Sequence, residues 1–211
     1  MLASGVVNVS TLRELAKKSK GGNAIDRESD EGRAFGKAVS ELCKGIAEKH
    51  GFYVWGQFDK NKKDYWQTVY VGKAGLGKTT TLESRIKYEL NNERILFWAD
   101  PPEEWVTHGA LKKLEDLVTI ATNFYPDKRR HFRRAVLKAA TTHIIWVSTP
   151  CLTNNDEVAL VESDLIETLN PKVNVIRSVP TSGLQDHTVD VIRAMKREIH
   201  AERDRMRTKT H

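Results

Sequence analysis

GFYVWGQF, residues 51–58, and YWQTVYVG, residues 65–72, decide the fold of this chain. Both runs are rich in aromatic and β-branched residues, which favour β-strands. The polar segment between them is too short for a parallel crossover, so the two strands are predicted to pair as an antiparallel hairpin. Because side chains alternate along a strand, Tyr53 and Tyr70 can then point to the same side of the sheet.

The rest of the chain alternates helical and strand-like patterns around this hairpin. In chain order it predicts helices at 10–18, 35–46 and 82–90, a strand at 94–99, helices at 110–125 and 128–138, a strand at 143–148, and helices at 158–170 and 189–207. We therefore expect an α/β or α+β fold with a small, mainly antiparallel three-stranded sheet flanked by helices. The expected organisation is an N-terminal helical segment (1–50), a central domain (51–180) with a helical insertion (91–142), and a C-terminal basic helix (181–211).

The composition of the chain narrows its partners and compartment. It has 211 residues with 34 Lys and Arg against 28 Asp and Glu, a net charge of +6, which favours a polyanionic partner. Its two cysteines form no disulfide framework or metal-ligand spacing. No apolar run approaches the roughly 20 residues that a membrane span needs. We expect a soluble, cytoplasmic protein without a membrane partner.

One glycine-rich segment suggests a nucleotide-binding loop. Gly72–Thr79 matches the pattern G-x-x-x-x-G-K-[ST] and lies between a predicted strand and a predicted helix. Lys78 would contact the outer phosphate and Thr79 would hold magnesium. Such loops belong to parallel sheets, however, and the predicted hairpin is antiparallel. A P-loop NTPase is therefore retained as the alternative.

A second interpretation uses the same glycines and accounts for more of the chain. Gly-Phe-Tyr ends at Tyr53, Tyr-Val-Gly begins at Tyr70, and Arg85 lies on the helix that follows. Near the C-terminal end come Glu162, Leu165-Ile166, Pro171 and Asn174. In this order, the motifs resemble those of the GIY-YIG nuclease family over roughly residues 51–90 and 143–176.

The chain departs from the family pattern at three places. Phe52 stands where the family typically has Ile. The connection from 75 to 81 is longer than usual, which creates the nucleotide-loop match and leaves Arg94 as an alternative to Arg85. Four residues after Arg85, where His or Tyr is frequent, this chain has Glu89, so Tyr88 is the candidate for that role.

The resemblance implies a DNA endonuclease, of the restriction type more than of the excision-repair type, that depends on Mg2+ or Mn2+. The expected catalytic residues are Tyr53, Tyr70, Lys73, Arg85, Tyr88, Glu162 and Asn174. Glu162 would be the metal ligand, since magnesium is often bound by a single carboxylate with waters and substrate phosphate. Arg85 would bind the scissile phosphate with its planar guanidinium.

The tyrosines and Asn174 are expected to complete the site. Tyr53, near Lys73 or the metal, would orient or deprotonate the attacking water, and Tyr70 would position the water or the phosphate. Asn174 is expected to be more structural than chemical, satisfying backbone groups beneath the site.

A basic segment in the insertion is the candidate DNA-binding element. Its cationic residues fall on one face of a predicted helix: Arg129, Arg130, Arg133, Arg134 and Lys138. Arginines in this arrangement can contact phosphates or guanine edges of DNA. The C-terminal helix could add backbone contacts or form the seam of a homodimer.

Overall fold

The computed structural model describes residues 2–12, 15, 29–58, 65–76, 80–97, 141–171, 174 and 186–208. The helices predicted at 110–125 and 128–138 lie outside the described residues, as do the five basic residues proposed to bind DNA. Gly77, Lys78 and Thr79 of the nucleotide-loop match lie outside them as well.

The described strands form one antiparallel sheet. They are β1 (Ser4–Asn8), β2 (Gly51–Phe58), β3 (Trp66–Ala74) and β4 (His143–Ser148), in the spatial order β1-β4-β2-β3. The predicted hairpin is confirmed as β2 and β3, and β4 pairs with the other side of β2. The mixed fold class is confirmed, but the sheet has four strands and the prediction of three was wrong.

β1 is the strand that the sequence did not reveal. It has five residues and pairs with β4, from Ser4 opposite Val147 to Asn8 opposite His143. So short a segment carries little periodicity, and its extended conformation depends on a partner almost 140 residues away. The N-terminal segment, expected to be helical, therefore contributes an edge strand as well as a helix to the fold.

In the described part of the chain, four long helices pack around the sheet: α1 (Asp30–Cys43), α2 (Leu82–Phe97), α3 (Asn155–Leu169) and α4 (Asp186–Thr208). At the start of α2, Thr81 and Ser84 exchange hydrogen bonds, each side-chain oxygen accepting from the other residue's backbone N–H. The strand predicted at 94–99 was wrong over its first four residues, because α2 continues through Phe97. Within the described residues, no helix is both long and apolar enough to cross a membrane.

The sheet separates two apolar cores. On one face, Tyr53 and Tyr70 pack with buried side chains of β1, α1 and α2. On the other face, Phe52 and Val71 pack with buried side chains of α3 and α4. Neighbouring residues of the hairpin therefore face different helices, as strand alternation requires.

Candidate functional site

The register of the hairpin brings the two tyrosine motifs together. Tyr53 lies opposite Gly72, and Trp55 lies opposite Tyr70. The rings of Tyr53 and Tyr70 are on the same face of the sheet, with centroids 6.3 Å apart and planes tilted by 53°. The two phenols are therefore neighbours, as the alternation along the strands predicted.

The glycines of both motifs are required by close packing. A Cβ atom on Gly72 would lie 2.4 Å from Cζ of Tyr53 and 2.5 Å from its hydroxyl oxygen. A Cβ atom on Gly51 would lie 2.1 Å from the carbonyl oxygen of Val147 on β4. The Tyr53 ring thus lies directly over Gly72, which leaves no room for a side chain.

A hydrogen-bonded network joins Tyr53 to α2. The Tyr53 hydroxyl donates to Oε1 of Glu89 at 2.6 Å, and Nε of Arg85 donates to the same hydroxyl at 3.4 Å. Nη2 of Arg85 lies 3.2 Å from Oε1 of Glu89. The Glu89 side chain is only 6% exposed, whereas that of Arg85 is 39% exposed. Arg85 thus connects a buried network to solvent.

Tyr88 lies at the outer edge of this network. It is exposed, and the guanidinium carbon of Arg85 is 5.8 Å from the centre of its ring, within the range of a cation–π contact. Tyr88, the candidate from the sequence, therefore does contact Arg85. Arg94 falls within α2, but its side chain is outside the described part of the chain.

The environment of Tyr53 disfavours the base role expected for it. Burial, and next the negative charge of Glu89, raise the pKa of Tyr53 well above its ordinary value of about 10. The hydroxyl is fully buried and already donates to Glu89. Tyr53 therefore remains protonated near neutral pH and acts as a hydrogen-bond donor.

A second pair of candidate residues lies on the other face of the sheet. Nζ of Lys73, on β3, is 2.9 Å from Oε2 of Glu162, on α3. The Lys73 side chain is 33% exposed and that of Glu162 is 25% exposed. Both charges can therefore meet a ligand from solvent while they hold each other in place.

Asn174 binds the backbone of β3. Its side-chain oxygen accepts from Val71 N–H at 2.8 Å, and its amide nitrogen donates to the carbonyl oxygen of Val71 at 2.8 Å. β3 is the last strand at this end of the described sheet, so these groups lack a partner strand there. The Asn174 amide takes the place of that strand, which is the structural role suggested for it from the sequence.

The candidate residues thus form two groups rather than one cluster. Tyr53, Tyr70 and Arg85 lie on the face covered by α1 and α2, whereas Lys73 and Glu162 lie on the face covered by α3. The expectation that Tyr53 lies near Lys73 fails, because the register places Lys73 opposite Phe52 and strand alternation turns it to the far face. What the groups share is the strand β3, which carries Tyr70 of the first group and Lys73 of the second.

Glu162 is the one carboxylate among the residues that the sequence predicted for metal binding. Among the residues that the structure describes, no three His, Cys, Asp or Glu side chains are grouped as metal ligands. A single partly exposed carboxylate such as Glu162 nevertheless fits magnesium, which keeps several waters and takes further oxygens from substrate phosphate. The residues present are therefore compatible with a magnesium ion that binds together with its substrate.

Glu89 is the residue that sequence reasoning left out of the site. The i, i+4 spacing could have identified Glu89 as a neighbour of Arg85, because it places both side chains on one side of α2. In the sequence, Glu89 is a departure from the family pattern, and the burial of its side chain depends on the sheet packed beneath it.

Comparison of the chain with protein-family models, curated proteins and solved structures found no match.

Proposed function

We propose that this protein is a magnesium-dependent endonuclease that hydrolyses phosphodiester bonds in DNA. The observation that carries the proposal is the hairpin register, which sets Gly-Phe-Tyr against Tyr-Val-Gly with Tyr53 over Gly72. Arg85, which contacts Tyr53 of β2, lies on one face of the hairpin, and the Lys73–Glu162 pair lies on the other face. These are the residue types that the hydrolysis of a phosphodiester requires.

Each candidate residue has a role that its position supports. The long side chains of Arg85 and Lys73 can reach around the β3 edge to the oxygens of one phosphate, and the bidentate guanidinium suits that task. Tyr70, beside Tyr53, can position the phosphate or the attacking water. Glu162 would hold the metal ion, which when bound would neutralise charge on the phosphoryl oxygens and lower the pKa of a bound water.

The sheet topology favours this function over the P-loop NTPase. A P-loop follows a strand of a parallel sheet with helical crossovers. Gly72 instead lies inside β3, which is antiparallel to β2 and is the outermost described strand on its side. Gly72 also lies beneath the Tyr53 ring, so its backbone is packed against protein.

A cationic helix face supports a polyanionic partner. At 100° per residue, the basic side chains along the outer side of α4 fall within one narrow sector: Arg193, Lys196, His200, Arg203 and Arg207. This face extends for about 20 Å, and the ion pairs of Arg193 with Asp190 and Arg203 with Asp204 reduce its charge only in part. Such a row of charges suits the phosphate backbone of DNA.

The test is cleavage of plasmid DNA with magnesium, with and without EDTA, alongside an ATPase assay. Wild-type protein should cut only in the presence of the metal and should not hydrolyse ATP. Glu162→Gln should lower the cleavage rate about a hundredfold or more while DNA binding persists, because only the charge needed for the reaction has gone.

The matched control is Glu167→Gln, which removes an exposed carboxylate from the same helix and should cut normally. Equal cleavage by Glu162→Gln and wild type would contradict the metal-ligand role. ATP turnover without DNA cleavage would instead support the nucleotide-loop alternative.

A further inference from the structure

Glu89 is a buried carboxylate in a protein interior where a charge needs compensation. Its side chain is 6% exposed and lies beneath α2 against β2. Removing an isolated carboxylate from water costs several kcal/mol, so buried carboxylates are found paired and hydrogen-bonded. Glu89 satisfies this rule through Tyr53 and Arg85, both of which approach its Oε1 atom.

These contacts fix the orientation of the Arg85 guanidinium. Its Nε atom faces the Tyr53 hydroxyl and its Nη2 atom faces Glu89, so one edge of the guanidinium is directed inward. A guanidinium has five N–H donors in a rigid plane. Holding one edge inward directs the opposite edge outward, where 39% of the side chain is exposed.

We propose that Glu89 is a positioning residue that holds Arg85 ready to bind the scissile phosphate. This inference rests on the proposed nuclease function. Glu89 itself does not touch the substrate, because it is buried beneath Arg85 and a bare carboxylate would repel a phosphate. It contributes by holding the guanidinium in the orientation in which it meets the charge that develops on the phosphoryl oxygens in the transition state.

Tyr53 completes the arrangement. Its hydroxyl accepts from Arg85 and donates to Glu89, so one phenol links the cation to the carboxylate at their shared edge. The Tyr53 ring is held in turn by Gly72 beneath it. The tyrosine of the first motif and the glycine of the second therefore act together to fix the arginine.

The first test follows the Arg85 Nε–H proton by NMR and does not require activity. The signal is assigned by its loss in Arg85→Lys. In Glu89→Gln its exchange with water should become about tenfold faster or more, because the ion pair that restrains the guanidinium has gone. Glu83→Gln, the same change elsewhere on α2, should leave the exchange rate unaltered. Unchanged exchange in a folded Glu89→Gln protein would overturn the positioning role.

The second test is kinetic. Glu89→Gln should lower kcat about tenfold to a hundredfold with little change in KM, and Glu89→Asp, which keeps the charge, should recover part of the loss. In an Arg85→Lys background, the Glu89→Gln change should have little further effect, because it acts through Arg85. A purely structural role predicts instead that the two changes multiply.

The two proposals fail in different ways. Absence of cleavage by the wild-type protein overturns the nuclease function, and the positioning role in catalysis with it. Normal cleavage by Glu89→Gln, with wild-type cleavage intact, overturns the positioning role alone. If Glu89→Gln does not fold, Tyr53→Phe replaces it, because this change removes the hydroxyl that joins Arg85 to Glu89. Unchanged Arg85 Nε–H exchange together with a normal kcat in Tyr53→Phe would also overturn the positioning role.

Discussion

Replacing Gly72 with alanine tests the contact on which the candidate site depends. The new Cβ would lie 2.4 Å from Cζ of Tyr53, whereas carbon atoms in ordinary contact are about 3.5–4.0 Å apart. The ring or the strand must therefore move by about 1 Å. Tyr53 has no exposed surface and donates to Glu89 at 2.6 Å, so such a movement disrupts both its packing and this hydrogen bond.

The expected loss of stability follows from these two effects. Overpacking a filled core costs about 1–3 kcal/mol. Loss of a buried hydrogen bond to a charged group costs about 1.5–3 kcal/mol more. We expect Gly72→Ala to lower the free energy of unfolding by about 2.5–6 kcal/mol, and the melting temperature by about 5–24 °C for a chain of this size.

Urea unfolding, followed by tryptophan fluorescence, measures this free energy directly. Gly75→Ala is the matched control, because a Cβ at Gly75 meets nothing within 4 Å, and it should change stability by less than about 0.5 kcal/mol. In a Tyr53→Leu background, adding Gly72→Ala should cost much less than it does alone. A loss below about 1 kcal/mol for Gly72→Ala in the wild-type background would refute the reasoning.

Two further predictions concern the sheet edge and the His143 pair. Asn174→Ala leaves both backbone groups of buried Val71 without their amide partner, and should cost about 1–3 kcal/mol in urea unfolding; an unchanged midpoint would contradict the edge-capping role. Burial lowers the pKa of His143 despite the opposing effect of nearby Glu202, so the unfolded chain binds a proton more readily. His143 should therefore contribute stability above pH of about 6.5 that is lost as the pH falls, and His143→Gln should lose less stability than wild type between pH of about 7.5 and 5.5. Equal losses in the two proteins would contradict a lowered pKa of His143 in the folded protein.

Much of the fold was predictable because it is encoded locally. The β2–β3 hairpin is specified by two aromatic, β-branched runs and the short polar link between them. The helices α1, α3 and α4 follow apolar spacing within each segment, and Ser29 and Asn154 cap the N-termini of α1 and α3. The strand β1 was not predicted because its conformation depends on pairing with β4. The continuation of α2 through Phe97 likewise overrides a strand-like local composition.

The sequence indicated most residues of the candidate site but not how they are arranged on the sheet. Side-chain alternation in the predicted hairpin indicated that Tyr53 and Tyr70 could point to one side of the sheet, and the contact between their rings confirms it. Which face of the sheet each residue occupies depends on the register of the hairpin. Gly72 and Lys73 are consecutive residues of β3, yet Gly72 lies beneath Tyr53 on one face and Lys73 lies beside Glu162 on the other. The motif residues alone do not show on which face of the sheet each side chain lies.

In the proposed nuclease, the β3 edge would bring side chains from the two faces of the sheet to one phosphate. In the interior of a sheet, the strands themselves would separate Arg85 from Glu162. At an outer strand, long side chains from both faces extend toward the same solvent, and Asn174 occupies the backbone groups that another strand would otherwise pair. The amide thus keeps the edge closed to a further strand near Val71 while leaving the flanking side chains accessible. The proposed phosphate site therefore depends on β3 remaining the outermost strand.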